Sequence, residues 1–319
     1  MSENVPASPA TGVSAPADAR TEIKDFLTTR RAKVTPPMVG LPVVAGNRRV
    51  PGLRREEVAM LAGVSVDYYT RLERGRAAGA SEEVLDALAS ALLLDDAERQ
   101  HLFDLARSVS STGRTRRRSR TSGAALRPGV QWLLDSMTAP ALVADSLSTY
   151  VASNLMARAL YSPMFLDPAP QATGREVNMA RFVFLDPRSR DFFPNWDSGA
   201  EDLVAMLRLA AGAGPTDPRL TALVGELSTR SREFSRLWAR HDVRYVCRGE
   251  KVIHHPVVGE LRLAYEPMPL TTAPGMRMTA YAVEPGSPSQ DALQLLASWA
   301  ATEPAPAAEK GPAAPSSCP

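Results

Sequence analysis

The residues whose types and spacing best suit ligand binding lie between Arg54 and Arg76, in the stretch RREEVAMLAGVSVDYYTRLERGR. At helical spacing, Tyr69 and Leu72 share one face, which can pack against a core. The opposite face carries a mixture of apolar and hydrogen-bonding side chains, namely Val66, Asp67, Thr70 and Arg71. Such a mixture suits the edges of bases, because arginine can bind guanine through two hydrogen bonds and valine can contact a thymine methyl group.

Two short helices around a tight turn would position this face. Gly63 can adopt the positive φ that a sharp helix-to-helix turn requires. Ser65 follows it where a hydroxyl can cap the second helix by accepting a backbone N–H. This is the layout of a helix-turn-helix, whose second helix enters the major groove of DNA. The spacing alone also allows an ordinary helical hairpin.

The charge around the motif favours DNA. Between Arg20 and Arg76 there are twelve basic and six acidic residues, a surplus of six positive charges, which suits a polyanion. We expect phosphate contacts from the hydroxyl and guanidinium groups that flank the second helix, from the start of the first helix and from the preceding loop: Ser65, Arg74, Arg76, Arg54, Arg48 and Arg49. The loop bearing Arg48 and Arg49 could equally be a solvated surface loop.

Two blocks of sequence resemble known families. LRREEVAMLAGVSVDYYTRLERGR resembles the helix-turn-helix of the xenobiotic-response-element (XRE, Cro/repressor-like) family of bacterial regulators. DPRLTALVGELSTRSREFSRLWARHDV, GEKVIHHPVVGELRLAYE and YAVEPGSPSQDALQLLASW resemble the MmyB-like domain that follows such a module in actinobacterial regulators. The second resemblance implies a PAS-like fold that binds fatty-acid-like small molecules.

A chain of 319 residues has room for two domains with separate cores. We predict an all-α helix-turn-helix domain at 21–107 and an α+β PAS-like domain at 128–300, with helices covering an antiparallel sheet. Residues 1–20 and 301–319, rich in Pro, Ala and Ser, indicate disordered tails. The Arg-rich segment 108–127 indicates a linker, which could lie on phosphates or act as a charged tether.

Composition limits the remaining possibilities. The net charge is +2, and the two cysteines, Cys247 and Cys318, are too few for a disulfide framework and fit a reducing cytosol. No apolar run approaches the roughly 18 residues of a membrane span, and the N-terminus lacks the pattern of a secretory signal. We therefore expect a cytoplasmic protein with no membrane partner.

The second domain offers candidates for a ligand pocket. Its pattern changes from helical spacing to period two at VRYVCRG, KVIHHP, ELRLAYEPM and RMTAYAVE, which predicts strands. Gly212 and Gly214 are expected to end the helix before them. A sheet beneath helices encloses apolar space, and the candidate lining is Tyr150, Phe182, Leu207, Trp238, Leu263, Tyr265, Met278 and Tyr281. Each is also suited to plain core. A ligand carboxylate could be held by Arg181, Arg244 or Tyr150.

The sequence offers little for catalysis or metal binding. His254 and His255 are adjacent in a predicted strand and must point to opposite faces, so they cannot both hold one metal ion. No nucleophile elbow or phosphate-binding glycine loop is present. We expect no metal, no resident cofactor other than a fatty-acid-like effector, and no enzymatic activity.

The preferred hypothesis is a ligand-responsive regulator that binds a double-stranded DNA operator as a homodimer, since one helix reads few base pairs. One alternative is a DNA-binding head fused to an enzyme that processes a small molecule. Another is a solid-core module that recruits RNA polymerase or a partner protein. A co-purified ligand that leaves unchanged would argue against the enzyme, and a fully packed interior would favour the recruiting module.

Arg71→Ala is expected to weaken binding to the cognate site by about 1–3 kcal/mol and to relax the preference at one base position. The physical reason is the loss of two hydrogen bonds to one base. Binding to duplexes varied one base pair at a time measures the effect. A uniform loss on every duplex would instead identify Arg71 as a phosphate contact.

Overall fold

The computed structural model describes residues 19–42, 50–110, 126–166, 176–214, 217–243 and 249–302. The described part of the N-terminal half consists of helices: α1 (Ala19–Lys33), a short 3₁₀ helix (Pro36–Val39), α2 (Arg55–Leu61), α3 (Val66–Glu73), α4 (Glu82–Ala91) and α5 (Asp96–Ser110). Their apolar faces meet in one core around Phe26, Val58, Leu88 and Leu102. Most of this core belongs to the N-terminal half, and Val243 and Leu209 of the C-terminal half pack against it.

The turn between α2 and α3 forms as its sequence predicts. Gly63 adopts a φ of 66°, and the Ser65 hydroxyl accepts a hydrogen bond from the backbone N–H of Tyr68 at 3.1 Å. Tyr69 and Leu72 are buried, whereas Val66 is 42% exposed. The predicted helix-turn-helix geometry is confirmed.

The C-terminal half combines helices with strands: α6 (Pro128–Ser136), β1 (Ala141–Ala144), β2 (Tyr150–Ser153), α7 (Leu155–Leu160), α8 (Ser162–Phe165), α9 (Met179–Leu185), α10 (Arg188–Phe192), α11 (Trp196–Ala213), α12 (Pro218–Arg230), α13 (Arg232–Trp238), β3 (Gly249–His255), β4 (Gly259–Pro269), β5 (Arg277–Ala282) and α14 (Pro288–Thr302). The strands form one sheet in the order β2-β1-β5-β4-β3, and every neighbouring pair is antiparallel.

Each face of the sheet has its own core. Residues directly opposite each other in an antiparallel pair share a face, and Leu142 pairs with Thr279 while Tyr265 pairs with Tyr281. Leu142 and Tyr281 belong to the larger core, which also contains apolar residues of α9, α10 and α11. Met278, on the other face of β5, packs in a small cluster with Leu134 of α6. The predicted fold class, an all-α N-terminal region followed by an α+β domain with helices covering an antiparallel sheet, is confirmed.

Some details differ from expectation or lie outside the described residues. Gly212 was expected to end its helix, but α11 continues through it to Ala213 and ends at Gly214. Most of the strand predicted at VRYVCRG, the greater part of both predicted tails and most of the Arg-rich linker lie outside the described residues, as do Arg48, Arg49 and Arg244.

The two halves pack together along α11. The Arg208 side chain on this helix is 2% exposed, and its Nη1 donates to both carboxylate oxygens of Glu22 on α1, at 2.7 and 2.5 Å. Nη2 of Arg208 donates to the backbone carbonyl of Trp238, whose ring lies 3.8 Å below the guanidinium carbon. A buried ion pair that is also hydrogen-bonded therefore joins the two halves.

The last turn of α11 approaches α5 closely. The Ser108 hydroxyl donates to the carbonyl of Gly212 at 3.3 Å. A Cβ added at Gly212 would lie only 2.4 Å from Nδ1 of His101. Burial lowers the pKa of His101 to about 3, so its ring is neutral at pH 7. The helix thus needs glycine at this position because a side chain would push α11 away from α5.

Arg208→Ala is expected to lower the free energy of unfolding by about 3–5 kcal/mol, because it leaves the Glu22 carboxylate buried without its main partner. The matched control is Arg230→Ala, which removes an exposed arginine from Glu226. Because Glu226 keeps its ion pair with Arg181 at 2.9 Å, this change should cost no more than about 1 kcal/mol. Urea unfolding of both variants measures the difference, and equal losses would contradict a stabilising role for the buried pair.

Candidate nucleic-acid interface and ligand cavity

Helix α3 presents its predicted outward face to solvent. Val66, Asp67 and Arg71 are exposed and Thr70 is half-buried. The guanidinium carbon of Arg71 lies 4.8 Å from the centroid of the Tyr68 ring, a cation–π contact that restricts the side chain to few conformations. The structure therefore brings these four side chains together on one helix, where solvent reaches each of them.

The groups predicted to hold phosphates surround this face. Ser65, Arg74, Arg76 and Arg54 are exposed. The Ser65 hydroxyl oxygen accepts the capping hydrogen bond, which leaves its hydrogen available to donate to a phosphate oxygen.

A buried carboxylate fixes the angle of α3. Glu73, at the C-terminal end of α3, accepts hydrogen bonds from Arg31 of α1 at 2.7 and 3.0 Å and from Nε of Arg55 of α2 at 2.6 Å. The Thr28 hydroxyl donates to the same carboxylate at 3.2 Å. Burial opposes ionisation of Glu73, but the hydrogen bonds and charges of the two arginines outweigh it and lower the pKa of this carboxyl. One anion thus ties the recognition helix to both neighbouring helices.

A cavity of about 210 Å³ lies between the sheet and the helices of the C-terminal half. Its walls are apolar side chains from β1, α9 and α11, including Leu142, Met179, Val183 and Leu203. Asn195, Ser198, Gly199 and Glu250 also line it and are exposed, so they mark its opening. The volume exceeds the roughly 150 Å³ of an engineered apolar cavity that holds benzene.

Three of the residues predicted to line a pocket do so. Tyr150, Tyr265 and Tyr281 line the cavity. The other described candidates do not line it: Phe182, Leu207 and Leu263 are buried in the surrounding core, and Met278 lies on the opposite face of the sheet.

The remaining candidates lie away from the cavity or outside the described residues. Trp238 stacks on Phe234 beneath Arg208, at the junction of the two halves. Arg181, considered as a carboxylate partner, pairs with Glu226 at 2.9 Å and does not line the cavity. Arg244 lies outside the described residues.

Sequence reasoning missed the two cations of the cavity, Lys251 and Arg277. In the strand KVIHHP, alternation places Lys251, Ile253 and His255 on one face, and Ile253 and His255 are both buried. That alternation was the available signal for Lys251. Burial, together with the nearby charge of Arg277, lowers the pKa of Lys251 to about 8, and Asp202 favours its charged form. The amine is therefore mostly protonated at pH 7.

Tyr150 and Tyr281 of the cavity and the neighbouring Tyr161 keep their hydroxyl hydrogens at neutral pH. Burial raises the pKa of Tyr281 to about 12 and raises the pKa of Tyr150 and of Tyr161 well above the usual value. The hydroxyls of Tyr161 and Tyr281 are 2.8 Å apart and share a hydrogen bond. The cavity thus combines an apolar body with protonated hydroxyl and amine groups.

A buried serine and histidine come together without forming a catalytic pair. Ser162 Oγ lies 3.1 Å from Nε2 of His255. Nδ1 of His255 accepts from the backbone N–H of Val257 at 3.2 Å, so Nε2 carries the hydrogen and donates to the Ala159 carbonyl at 2.9 Å. A nitrogen that already carries a proton cannot take one from Ser162.

Two further classes of site were sought within the part of the chain that the structure describes. There, no cluster of three His, Cys, Asp or Glu side chains is arranged to hold a metal ion. Among the same residues, no helix combines the length and the apolar character that crossing a bilayer requires. His254 is exposed and His255 is buried, as their alternation in the strand predicts.

An exposed recognition helix and a cavity in a separate α+β domain define a DNA-binding transcription regulator with a ligand-binding domain. Family models support the same division: a helix-turn-helix domain matches residues 25–102, and the MmyB-like transcription regulator ligand binding domain matches residues 126–296. The second match covers more than half of the chain, so the chain belongs to the MmyB-like transcription regulator family. The resemblance seen in the sequence is thereby confirmed. Among curated proteins, no match is found.

Glu73→Gln is expected to reduce the free energy of unfolding at pH 7 by roughly 1–3 kcal/mol, because a neutral amide cannot satisfy two arginines. A carboxyl with a lowered folded-state pKa stabilises the fold above its ordinary pKa of 4.5, and this contribution is lost as pH falls through the folded-state value. The difference between wild type and variant should therefore shrink as the pH falls below 4.5 and through the lower folded-state pKa.

Urea unfolding across this pH range measures the effect. The control is Glu56→Gln, which changes an exposed glutamate on α2 and should leave the acid dependence as in the wild type. A Glu73→Gln difference that stays constant or grows on acidification would contradict the role assigned to Glu73.

Proposed function

We propose that the protein is a sequence-specific transcription regulator whose affinity for DNA is set by a small hydrophobic, fatty-acid-like effector. The observation that carries this proposal is the position of α11. The part of α11 from Trp196 to Met206 lines the cavity, and the following turns, through Arg208 and Gly212, contact α1 and α5 of the DNA-binding half. One rigid helix is thus part of the ligand site and part of the contact between domains.

On the DNA side, Val66, Asp67, Thr70 and Arg71 read base edges in the major groove. The flanking groups bind phosphates and set the register of the helix on the duplex, namely Ser65, Arg74, Arg76 and Arg54, with Arg48 and Arg49 from the preceding loop. The network around Glu73 supports this arrangement because it holds α3 at one angle to α1 and α2.

On the effector side, control works by population shift. A ligand changes DNA binding only if it prefers one arrangement of the two halves over another. Filling the cavity pushes on the N-terminal part of α11, and the close contacts of Gly212 with His101 and Ser108 carry any displacement to α5. We propose homodimeric binding to paired half-sites, since a single recognition helix contacts few base pairs.

The alternative functions receive less support from the same residues. A module that only recruits RNA polymerase or another protein needs no internal space, whereas this domain encloses about 210 Å³. An enzyme of the serine–histidine type would need an acceptor nitrogen beside Ser162, and the nitrogen beside it donates instead.

DNA binding is tested by selection from a random duplex library at low salt. The expected result is a two-fold-related pair of half-sites whose centres lie about one helical turn, or a multiple of it, apart. Recovery of no preferred sequence would overturn the regulator proposal, and recovery of a single unrepeated site would overturn the dimer.

Effector control is tested with decanoate and the selected site. In the wild type, saturating decanoate should change the dissociation constant for DNA by at least about fivefold. Gly212→Ala should bind decanoate normally but lose this response, because the added methyl group separates α11 from α5.

The matched control is Gly225→Ala on α12, where an added Cβ meets no atom within 4 Å; this variant should respond like the wild type. Isothermal titration measures decanoate binding, and fluorescence anisotropy measures DNA binding. A full response in Gly212→Ala, or a lost response in Gly225→Ala, would contradict coupling through α11.

A further inference from the structure

Helix α6 carries apolar side chains on two sides. Val130 and Leu134 face the sheet and belong to the small cluster that also contains Met278. On the other side, Trp132 is 72% exposed and Leu133 is 50% exposed. A surface helix normally has one apolar side, and a helix that is apolar all round is usually buried. The exposed side of α6 therefore fits a helix that packs against a further partner.

The outward side of α6 consists of Gly129, Trp132, Leu133 and Ser136, which are all exposed. Their spacing of three and four residues places them in one row along the helix. A Cβ added at Gly129 would meet no atom within 4 Å, so the glycine leaves an open hollow beside the two large apolar side chains. None of the four residues is charged. This composition, with a tryptophan at its centre, is typical of the core of a protein–protein interface.

Opposite charges lie at the two ends of α6. Arg127 precedes the first turn and Asp135 lies in the last turn, and both are exposed. Asp135 accepts a hydrogen bond from Gln131 at 2.8 Å, and within the described part of the chain neither Arg127 nor Asp135 forms an ion pair. Each of the two charges opposes the dipole of its own helix. An antiparallel copy of α6 would bring the opposite charge to each end, so the helix is complementary in charge to itself.

One antiparallel register satisfies both the charges and the shape. The pair Arg127 and Asp135 is centred on Gln131, and so is the pair Gly129 and Leu133. When two copies of α6 cross at this level, each Arg127 lies beside Asp135 of the second copy, and each Leu133 faces the hollow at its Gly129. Every contact then occurs twice, as the two-fold symmetry of a homodimer requires.

The neighbouring edge of the sheet is a less suitable surface for a second copy. β2 is the strand at this edge, and its pairing with β1 shifts register between Val143 and Ala144, which leaves Val151 without a partner in the pairing. A bulge of this kind interrupts the row of backbone groups that an added strand needs. The backbone N–H of Tyr150 already donates to the carbonyl of Val177 at 2.9 Å. The side of α6 is therefore the better docking surface.

We propose that the outward side of α6 is the dimerisation surface of the protein and that its partner is the antiparallel α6 of a second copy. This inference rests on the proposed homodimeric binding to paired half-sites and adds the surface that holds the two copies together. A helix of nine residues buries less area than the roughly 1,600 Å² of a standard interface. The dimer should therefore dissociate in the micromolar range of protein concentration.

Sedimentation velocity of the full-length protein without DNA, at about 1–100 μM, measures the dissociation constant of the dimer. The wild type is expected to dimerise within this range. Trp132→Glu should weaken dimerisation by at least about tenfold, because it places a charge at the centre of an apolar contact. Since Trp132 is 72% exposed, this variant should keep the urea unfolding midpoint of the wild type.

The matched control is Leu295→Glu, which introduces the same charge at another exposed apolar position. Leu295 lies on α14 and is 64% exposed, and its replacement should leave dimerisation as in the wild type. Undiminished dimerisation of Trp132→Glu, or an equal loss in Leu295→Glu, would overturn the assignment of the surface to α6.

Charge reversal tests the antiparallel register separately. Arg127→Glu and Asp135→Arg each place like charges opposite each other, so each should weaken the dimer by about threefold or more. The double variant, Arg127→Glu with Asp135→Arg, restores opposite charges and should return the dissociation constant to within about twofold of the wild type. Single variants that dimerise like the wild type, or a double variant that is weaker than both, would contradict the antiparallel pair.

The dimerisation surface and the homodimer fail in different ways. A wild type that dimerises, with Trp132→Glu and both charge reversals having no effect, would overturn the α6 surface and leave the homodimer standing. A wild type that remains monomeric at about 100 μM would also overturn the surface. The homodimer would then stand only if selection from the random duplex library still recovers paired half-sites.

Discussion

The buried pair of Arg208 and Glu22 is the constraint on which the arrangement of the two halves depends. Removing two charges from water costs several kcal/mol per ion, so the pair needs hydrogen bonds that offset much of this cost. Both carboxylate oxygens of Glu22 accept a hydrogen bond from Arg208. Arg208 also donates to the backbone carbonyl of Trp238 and lies over the Trp238 ring. An apolar contact tolerates sliding, whereas this pair loses much of its interaction energy on a small displacement. We interpret it as the element that makes the domain arrangement discrete.

The DNA-binding half was predictable because its signals are local. Gly63, Ser65 and the spacing of Tyr69 and Leu72 lie within one short stretch, and each requires a conformation that depends on near neighbours. The role of Glu73 was missed because its partner Arg31 lies on another helix, 42 residues away. No periodicity marks such a pair, since it exists only after the helices have packed.

The cavity was harder to predict because it is a space that the packed side chains leave unfilled, and no local sequence pattern marks such a space. Phe182 and Leu207 have the same apolar character as true lining residues, and only long-range packing decides which of them faces empty space. Met278 and Tyr281 lie three residues apart on β5 and therefore point to opposite faces of the sheet. This alternation places Tyr281 at the cavity and Met278 beneath α6. Lys251 was missed because a charged residue in a strand is by default assigned to solvent.

The proposed coupling through α11 rests on the position of this helix, which lines the cavity and also contacts α1 and α5. A close-packed interior does not deform continuously. A displaced helix therefore moves between a few alternative packed arrangements. A ligand shifts such an equilibrium only by the difference in its affinity for the two arrangements. The strands on one side of the cavity are held by their neighbours in the sheet, whereas α11 covers the cavity from the other side. In the proposed mechanism, a ligand held between the sheet and this covering helix changes the contact of α11 with α1 and α5.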